Sequence, residues 1–155
     1  MQFKQLFAAG CAATAFFALP AQAQLTGEAA RVATANEAFD AALSRRDRAA
    51  VEAAWVRDGT VVAAHPRSPA VIVGWEAVQK SWEGAFTSFP ELSVTLARPE
   101  VRVAGDVAWV VGVEQVKGRT PAGEIVEFSA MTTNIYERRN GQWLMVHHQA
   151  TPIPK

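Results

Sequence analysis

Apolar residues recur at helical spacing in three segments of the first half of the chain, and polar residues occupy the opposite faces. Asp47 is a suitable N-cap for the second of these segments, and Pro90 marks the end of the third. A short apolar strand and a loop with two prolines separate the second segment from the third. The predicted elements are helices over Thr26–Arg45, Arg48–Val56 and about Gly74–Ser88, a strand over 60–64 and a loop over 65–69.

The second half of the chain alternates between apolar and polar residues, as half-buried strands do. Asn140-Gly141 is the strongest hairpin signal, because both central residues of that turn need positive φ. Three helices followed by a meander predict an α+β domain in which a curved, mainly antiparallel sheet wraps the helices. The expected strands are Leu92–Val103, Val107–Lys117, Ile125–Arg138 and Gln142–Thr151.

Residues 1–23 have the pattern of a cleavable secretory signal, with a positive charge at Lys4, an apolar run and the small-residue site Ala21-Gln22-Ala23. A membrane anchor is the alternative, but the apolar run is interrupted and is shorter than the about 20 residues that span a bilayer. A lipoprotein with acylated Cys11 is disfavoured because almost no apolar segment precedes that residue. We therefore expect a periplasmic or secreted protein with a single domain over residues 24–155.

The composition of the mature chain limits which partners it can bind and which catalytic groups it can use. Without residues 1–23 it carries 14 basic and 15 acidic residues with no run of either sign, which disfavours nucleic acid and acidic membranes as partners. The single cysteine, Cys11, leaves with the signal, so no disulfide or thiolate remains. The three histidines lack the spacing typical of a metal site, and we expect no metal and no cofactor.

The strand over 125–138 has one face without charge, and we predict that this face is the inner one. It places the polar groups of Thr132 and Asn134 on an otherwise apolar wall, beside Phe128. In the last strand both faces are plausible. We predict that the inner face is the one whose polar members cluster at the strand's end. This face carries Trp143, Met145, His147, Gln149 and Thr151.

In the strand over 107–117, small Ala108 and Gly112 suit the concave side of a bent strand and would aim Glu114 inward. The opposite face, which includes Trp109, would then form an apolar outer surface. A soluble protein usually buries such a surface in a dimer, so a homodimer through the outer sheet face is expected.

These assignments predict a pocket in which Glu114 is the general base and His147 is its partner or the acid. Two structural alternatives remain open: a buried Glu114–His147 pair that only fixes the sheet, or a Glu114 that faces water. His65, at a strand end that enters the proline loop, is a candidate for the pocket mouth. The remaining expected lining residues are Trp55, Trp82, Phe86, Phe128, Thr132, Asn134, Met145 and Gln149.

Three segments, at 105–114, 133–138 and 141–148, together with the order of elements, resemble the SnoaL-like branch of the nuclear-transport-factor-2-like (NTF2-like) superfamily. The resemblance covers residues 28–152. It implies a cone-shaped α+β barrel with a deep apolar pocket between the concave sheet and the helices, usually dimeric through the sheet. Members include ketosteroid isomerases, polyketide cyclases, epoxide hydrolases and dehydratases, as well as binding and assembly modules.

Three functions follow from the residues and the resemblance. The first is a cofactor-independent acid–base enzyme acting on a small apolar organic substrate, and the second is a non-catalytic ligand-binding or oligomerisation module. The third is an activity like that of the iota-type carbonic anhydrases, whose double histidine is typically followed by two serines. Here Gln149 and Ala150 follow His147-His148. The steroid isomerase pattern needs a tyrosine on an early helix, whereas the single tyrosine here is Tyr136.

Overall fold

The computed structural model describes residues 25–154, so the predicted secretory signal lies outside the described residues. No helix in this range is long and apolar enough to span a bilayer. The helices are α1 (Gly27–Arg45), α2 (Arg48–Ala53) and α3 (Trp75–Ser88). The strands are β1 (Val62–Ala64), β2 (Ile72–Val73), β3 (Glu91–Ala104), β4 (Val107–Arg119), β5 (Ile125–Arg139) and β6 (Gln142–Pro152).

The helix boundaries follow local signals in the sequence. α1 ends where Arg46 adopts a left-handed φ of 56°, and Asp47 caps α2 by accepting a 3.0 Å hydrogen bond from the backbone N–H of Ala50. α2 is shorter than predicted, because the chain leaves the helix to pair with the last strand. The N–H of Val56 donates to the carbonyl of Met145, so this segment extends the sheet instead of the helix.

The strands form one sheet in the order β2-β1-β6-β5-β4-β3. The long strands pair antiparallel, as predicted, and β1 pairs parallel with β6. The short strand β2, which the sequence analysis did not predict, pairs with β1 at the sheet edge. The prediction of an α+β domain with a mainly antiparallel sheet against three N-terminal helices is therefore confirmed.

Two bulges bend the long strands. In β3, the register slips by one residue between Ala97 and Glu100, where Arg98 has a left-handed φ of 52°. In β6, Ile135 pairs with His147 but the next residue of β5 pairs with Met145, which leaves Val146 as an extra residue. After the second bulge, each residue of β6 therefore points to the face opposite to the one that regular alternation from Trp143 predicts.

The core lies between the helices and the concave face of the sheet. The Phe39 ring packs edge-on against the rings of Trp55 and Trp82, at centroid distances of 6.4 and 5.5 Å, and each such pair contributes about 0.5–1.5 kcal/mol beyond its buried area. The predicted inner faces of β4 and β5 are confirmed. Their buried residues are Ala108, Val110, Glu114, Gly118, Ala130, Thr132, Asn134 and Tyr136.

Candidate functional site

A cavity of about 360 Å³ lies between α3, the loop after β1 and the concave face of the sheet. Its walls are mainly apolar, and two ionisable side chains in them are almost fully buried: Glu114, which is 4% exposed, and His148, which is 2% exposed. A carboxyl and an imidazole in one apolar cavity form an acid–base pair held out of bulk water. The apolar lining includes Leu43, Trp82, Phe89, Leu92, Val94 and Phe128.

Glu114 points into the cavity because of the sequence around it on β4. A Cβ at Gly112 would lie 2.9 Å from Leu96 Cγ, so only glycine lets β3 and the inner face of β4 approach so closely. Burial raises the pKa of Glu114 to about 7, and the Thr132 hydroxyl opposes that shift. Within residues 25–154 neither Glu114 Oε1 nor Thr132 Oγ1 completes a hydrogen bond. The carboxyl therefore changes protonation near neutral pH and has an oxygen to offer a ligand.

The histidine of the cavity is His148, and the predicted inward placement of His147 is wrong. Trp143 and Met145 are buried on the inner face as predicted. The extra residue at Val146 shifts the alternation of side chains by one, so the even-numbered residues after it face inward. His147 is consequently half-buried on the outer face, and partial burial lowers its pKa.

Gln149, predicted to line the pocket, is exposed on the outer face for the same reason. His148 and Ala150 are buried on the inner face in place of His147 and Gln149.

His148 is held by a chain of buried amides. Its Nδ1 lies 2.8 Å from Asn134 Oδ1, and Asn134 Nδ2 donates to Asn36 Oδ1 over 2.8 Å. The Tyr136 hydroxyl donates to the same oxygen over 3.0 Å, and Asn36 Nδ2 donates to Asp40 Oδ2 over 3.2 Å. Burial, with smaller contributions from the neighbouring histidines, lowers the pKa of His148 to about 3. The imidazole is therefore neutral at physiological pH.

Asp40 ends this chain on α1 and is 6% exposed. Burial, reinforced by the charges of Glu114 and Glu37, raises the pKa of Asp40 to about 8. Sequence reasoning missed both Asn36 and Asp40. A signal was present, because the two residues are four apart and share the helix face of Val32 and other buried apolar residues.

His65 lies in the cavity wall, as predicted for a residue of the pocket mouth. Its Nε2 is 2.8 Å from Ser81 Oγ, and the Ser81 hydroxyl donates to the carbonyl of Val78 over 2.6 Å. Since that hydroxyl has one hydrogen, Ser81 accepts from His65 and the proton of His65 is on Nε2. The ring lies 4.3 Å from the Trp82 ring and 5.6 Å from the His148 ring, between centroids, and burial lowers the pKa of His65 to about 4.

The other predicted lining residues divide into three groups. Trp82 and Phe128 line the cavity, whereas Trp55, Phe86 and Met145 are core residues that do not reach it, because helix and strand packing covers them. Thr132 and Asn134 are buried on the concave face of the sheet. Over residues 25–154, no three histidine, cysteine or acidic side chains are grouped so that they could hold a metal ion.

Solved structures with the same architecture place the fold among NTF2-like domains. A candidate dehydratase of the NTF2-like family from Streptomyces avermitilis is 25% identical, with a TM-score of 0.75 over 81% of this chain and 97% of that one. A candidate calcium/calmodulin-dependent protein kinase II association domain from Xanthomonas campestris is 27% identical, with a TM-score of 0.72 over 89% and 94%. A ketosteroid isomerase-like protein from Erwinia carotovora atroseptica, 20% identical, shares the fold with a TM-score of 0.71 over 84% and 100%.

The SnoaL-like domain family matches residues 32–154, and the chain belongs to this family. The resemblance found in the sequence is thereby confirmed. A comparison with curated proteins finds no match.

Proposed function

We propose that this chain is an exported protein that binds a small, mainly apolar organic molecule in its cavity and transfers protons by means of Glu114. One observation supports this above all others. A carboxyl whose pKa burial raises to about 7 shares an apolar cavity with a neutral imidazole. The signal pattern of residues 1–23 supports export to the periplasm or outside the cell.

Each group has a distinct role in the proposed chemistry. Glu114, once ionised, is the general base, and the low dielectric around it strengthens its interaction with a substrate proton. His148 stays neutral, so it acts as a hydrogen-bonding partner of the substrate and not as the acid. The proton taken by Glu114 can be returned elsewhere on the same molecule, which is the chemistry of isomerases and dehydratases, and it needs no cofactor.

The test is a turnover screen of aromatic, terpenoid and polyketide-like compounds, followed by a pH–rate profile on any substrate found. We expect kcat/KM to rise with pH and level off above about pH 8, with a midpoint near 7, because only the ionised carboxyl is a base. A profile that stays flat through neutrality, or one that falls, would contradict the role of Glu114 as base.

A second candidate function is assembly through the outer face of the sheet. Trp109 is 37% exposed and Met131 60%, and Val107 and Val111 lie beside them on the same face. Neighbouring exposed apolar residues of this kind are typical of protein interfaces. We propose that two copies of the chain cover this face in a homodimer.

Trp109→Lys should convert the homodimer into a monomer, because a charge would then be buried in the interface. Analytical ultracentrifugation measures the change. Ala77→Lys adds the same charge at an exposed position of α3 and should leave the dimer intact. A wild-type protein that sediments as a monomer at all concentrations rules out this interface.

A further inference from the structure

The hydrogen bonds behind His148 have a defined direction. Asn36 Oδ1 receives two donors, Asn134 Nδ2 and the Tyr136 hydroxyl, so the amide nitrogen of Asn36 faces Asp40 Oδ2. The oxygen of Asn134 is then the atom that remains for His148. An amide oxygen only accepts hydrogen bonds, so the proton of the neutral imidazole is on Nδ1.

Reversing this direction would require simultaneous changes at four groups in the core. Both amides would have to turn over, the Tyr136 hydroxyl would have to accept, and Asp40 would have to donate through Oδ2. Asn36 and Asp40 also line a second cavity of about 380 Å³, so burial by itself does not fix the direction. The Tyr136 hydroxyl fixes it, because this group is 1% exposed and its hydrogen would have no acceptor within residues 25–154 if the oxygen accepted from Asn36. Asp40 Oδ1 is buried without a partner in the described chain, so a proton on that oxygen leaves Oδ2 free to accept from Asn36.

The other side of the His148 ring meets the cavity. The ring lies 5.2 Å from the Trp82 ring and 5.6 Å from the His65 ring, between centroids, and all three side chains line the cavity. Since Nδ1 is bonded into the core, Nε2 lies on the opposite side of the ring and carries the lone pair. No residue from 25 to 154 hydrogen-bonds to Nε2. Ionised Glu114 is a second acceptor in the lining. The cationic donor of the lining is Arg67, whose guanidinium lies 5.8 Å from the centroid of the Phe89 ring.

We infer that Asp40, Asn36 and Asn134 are positioning residues that keep the lone pair of His148 on Nε2, and that the cavity therefore selects apolar molecules presenting a hydroxyl hydrogen, such as phenols and enols. A molecule with only a carbonyl oxygen would place its lone pairs against those of His148. The inference deepens the proposed function, because it takes the same cavity as the substrate site and names the substrate class.

The protonation of His148 is tested by two-bond ¹H–¹⁵N correlation spectra of the ligand-free chain, with His65→Gln and His147→Gln used for assignment. We expect Nε2 of His148 to resonate as an unprotonated nitrogen and Nδ1 as a protonated one. Asn36→Leu removes the acceptor that orients Asn134, so both tautomers should appear. Tyr136→Phe removes only the side branch of the chain, so the single tautomer should persist. A wild-type Nε2 that carries the proton overturns the inference.

Ligand selection is tested by titration with p-cresol, p-tolualdehyde and p-xylene, which share a ring and differ in one group. We expect p-cresol to bind about tenfold more tightly than either of the others, the effect of one hydrogen bond in a dry site. The preference should disappear in His148→Phe and shrink in Asn36→Leu, and it should persist in Tyr136→Phe.

Equal affinity for p-cresol and p-tolualdehyde in the wild-type protein contradicts the inference even if every variant fails to fold. Neither measurement involves turnover. A single Nδ1–H tautomer with a hydroxyl preference, in a protein that turns nothing over, would therefore reject the catalytic proposal and leave this inference standing.

Discussion

Replacing Glu114 with glutamine should lower kcat by a factor of about 10² to 10⁴ for any substrate on which the protein performs proton transfer. Glutamine keeps the shape of the side chain and can still hydrogen-bond, but it cannot accept a proton at neutral pH. Because Glu114 is buried in the cavity wall, no other ionised carboxylate of the described chain is placed to take over the same position. Steady-state kinetics at saturating substrate measures the effect.

Two controls make this result specific. Glu124→Gln removes an exposed carboxylate from the β4–β5 connection and should leave kcat unchanged. The free energy of unfolding of Glu114→Gln should equal or exceed that of wild type near neutral pH, since a buried ionisable group has been removed. Turnover that survives Glu114→Gln unchanged would contradict proton transfer by this residue.

Replacing Asp40 with asparagine should stabilise the protein above neutral pH. Burial raises the pKa of Asp40 from an ordinary 3.8 to about 8 in the folded state, and that of Glu114 from 4.5 to about 7. A group whose pKa is raised by folding stabilises the folded protein fully below its unfolded pKa, and this contribution is lost as pH rises through the folded pKa. These two carboxyls therefore contribute less and less stability as pH rises from about 4 to about 8. The buried neutral imidazoles of His65 and His148, whose pKa values are lowered from 6.5 to about 4 and about 3, contribute less and less as pH falls below 6.5. The wild-type free energy of unfolding should therefore be highest between about pH 4.5 and 6.5 and fall from there to about pH 8.

The contribution that the carboxyls lose over this range is on the order of 1.4 kcal/mol for each unit by which the pKa is raised, or several kcal/mol for the two together. The introduced asparagine would remain an acceptor for Asn36 but would not ionise, so we expect a gain of roughly 2–5 kcal/mol at about pH 8.5 and a change below about 1 kcal/mol at about pH 4. Urea denaturation across this pH range measures both quantities.

Glu76→Gln is the matched control, because Glu76 is an exposed carboxyl in the first turn of α3 and should leave the pH dependence nearly unchanged. Wild-type stability that is constant or rising between about pH 6.5 and 8 would show that these carboxyls are not held in their neutral form by burial.

The architecture was predictable because its signals are periodic and repeated along the chain. The uncharged face of β5 identified its inner side, and small Ala108 and Gly112 correctly indicated that Glu114 points inward. Each of these predictions rested on several residues of one strand, so a single ambiguous position did not decide it.

The histidine was not predictable in the same way. Because Val146 is an extra residue in β6, His148 and not His147 faces the cavity. Neither glycine nor proline marks this bulge in the sequence. The apolar residues on both sides of that position satisfy either register. Tertiary pairing of β6 with both β1 and β5 fixes the outcome, and a single strand does not encode that information.

The buried chain from Asp40 to His148 was missed for a different reason. The apolar residues of α1 define its buried face by helical periodicity, and Asn36 and Asp40 are polar members of that same face. Polar residues four apart on a helix face that is otherwise buried can satisfy each other, and they point to a network across the core. In the core their partner, Asn134, comes from a strand about a hundred residues away in sequence.

The position of β6 has a consequence for how the protein reaches its working form. This last strand does not lie at the edge of the sheet but is inserted between β1 and β5. His65, Trp82 and Glu114 are all synthesised before it, yet the cavity lacks His148 and the amide chain lacks its end until β6 docks. Contacts so distant in sequence slow folding, so the site comes into existence only after β6 has been synthesised and has paired with both of its neighbours.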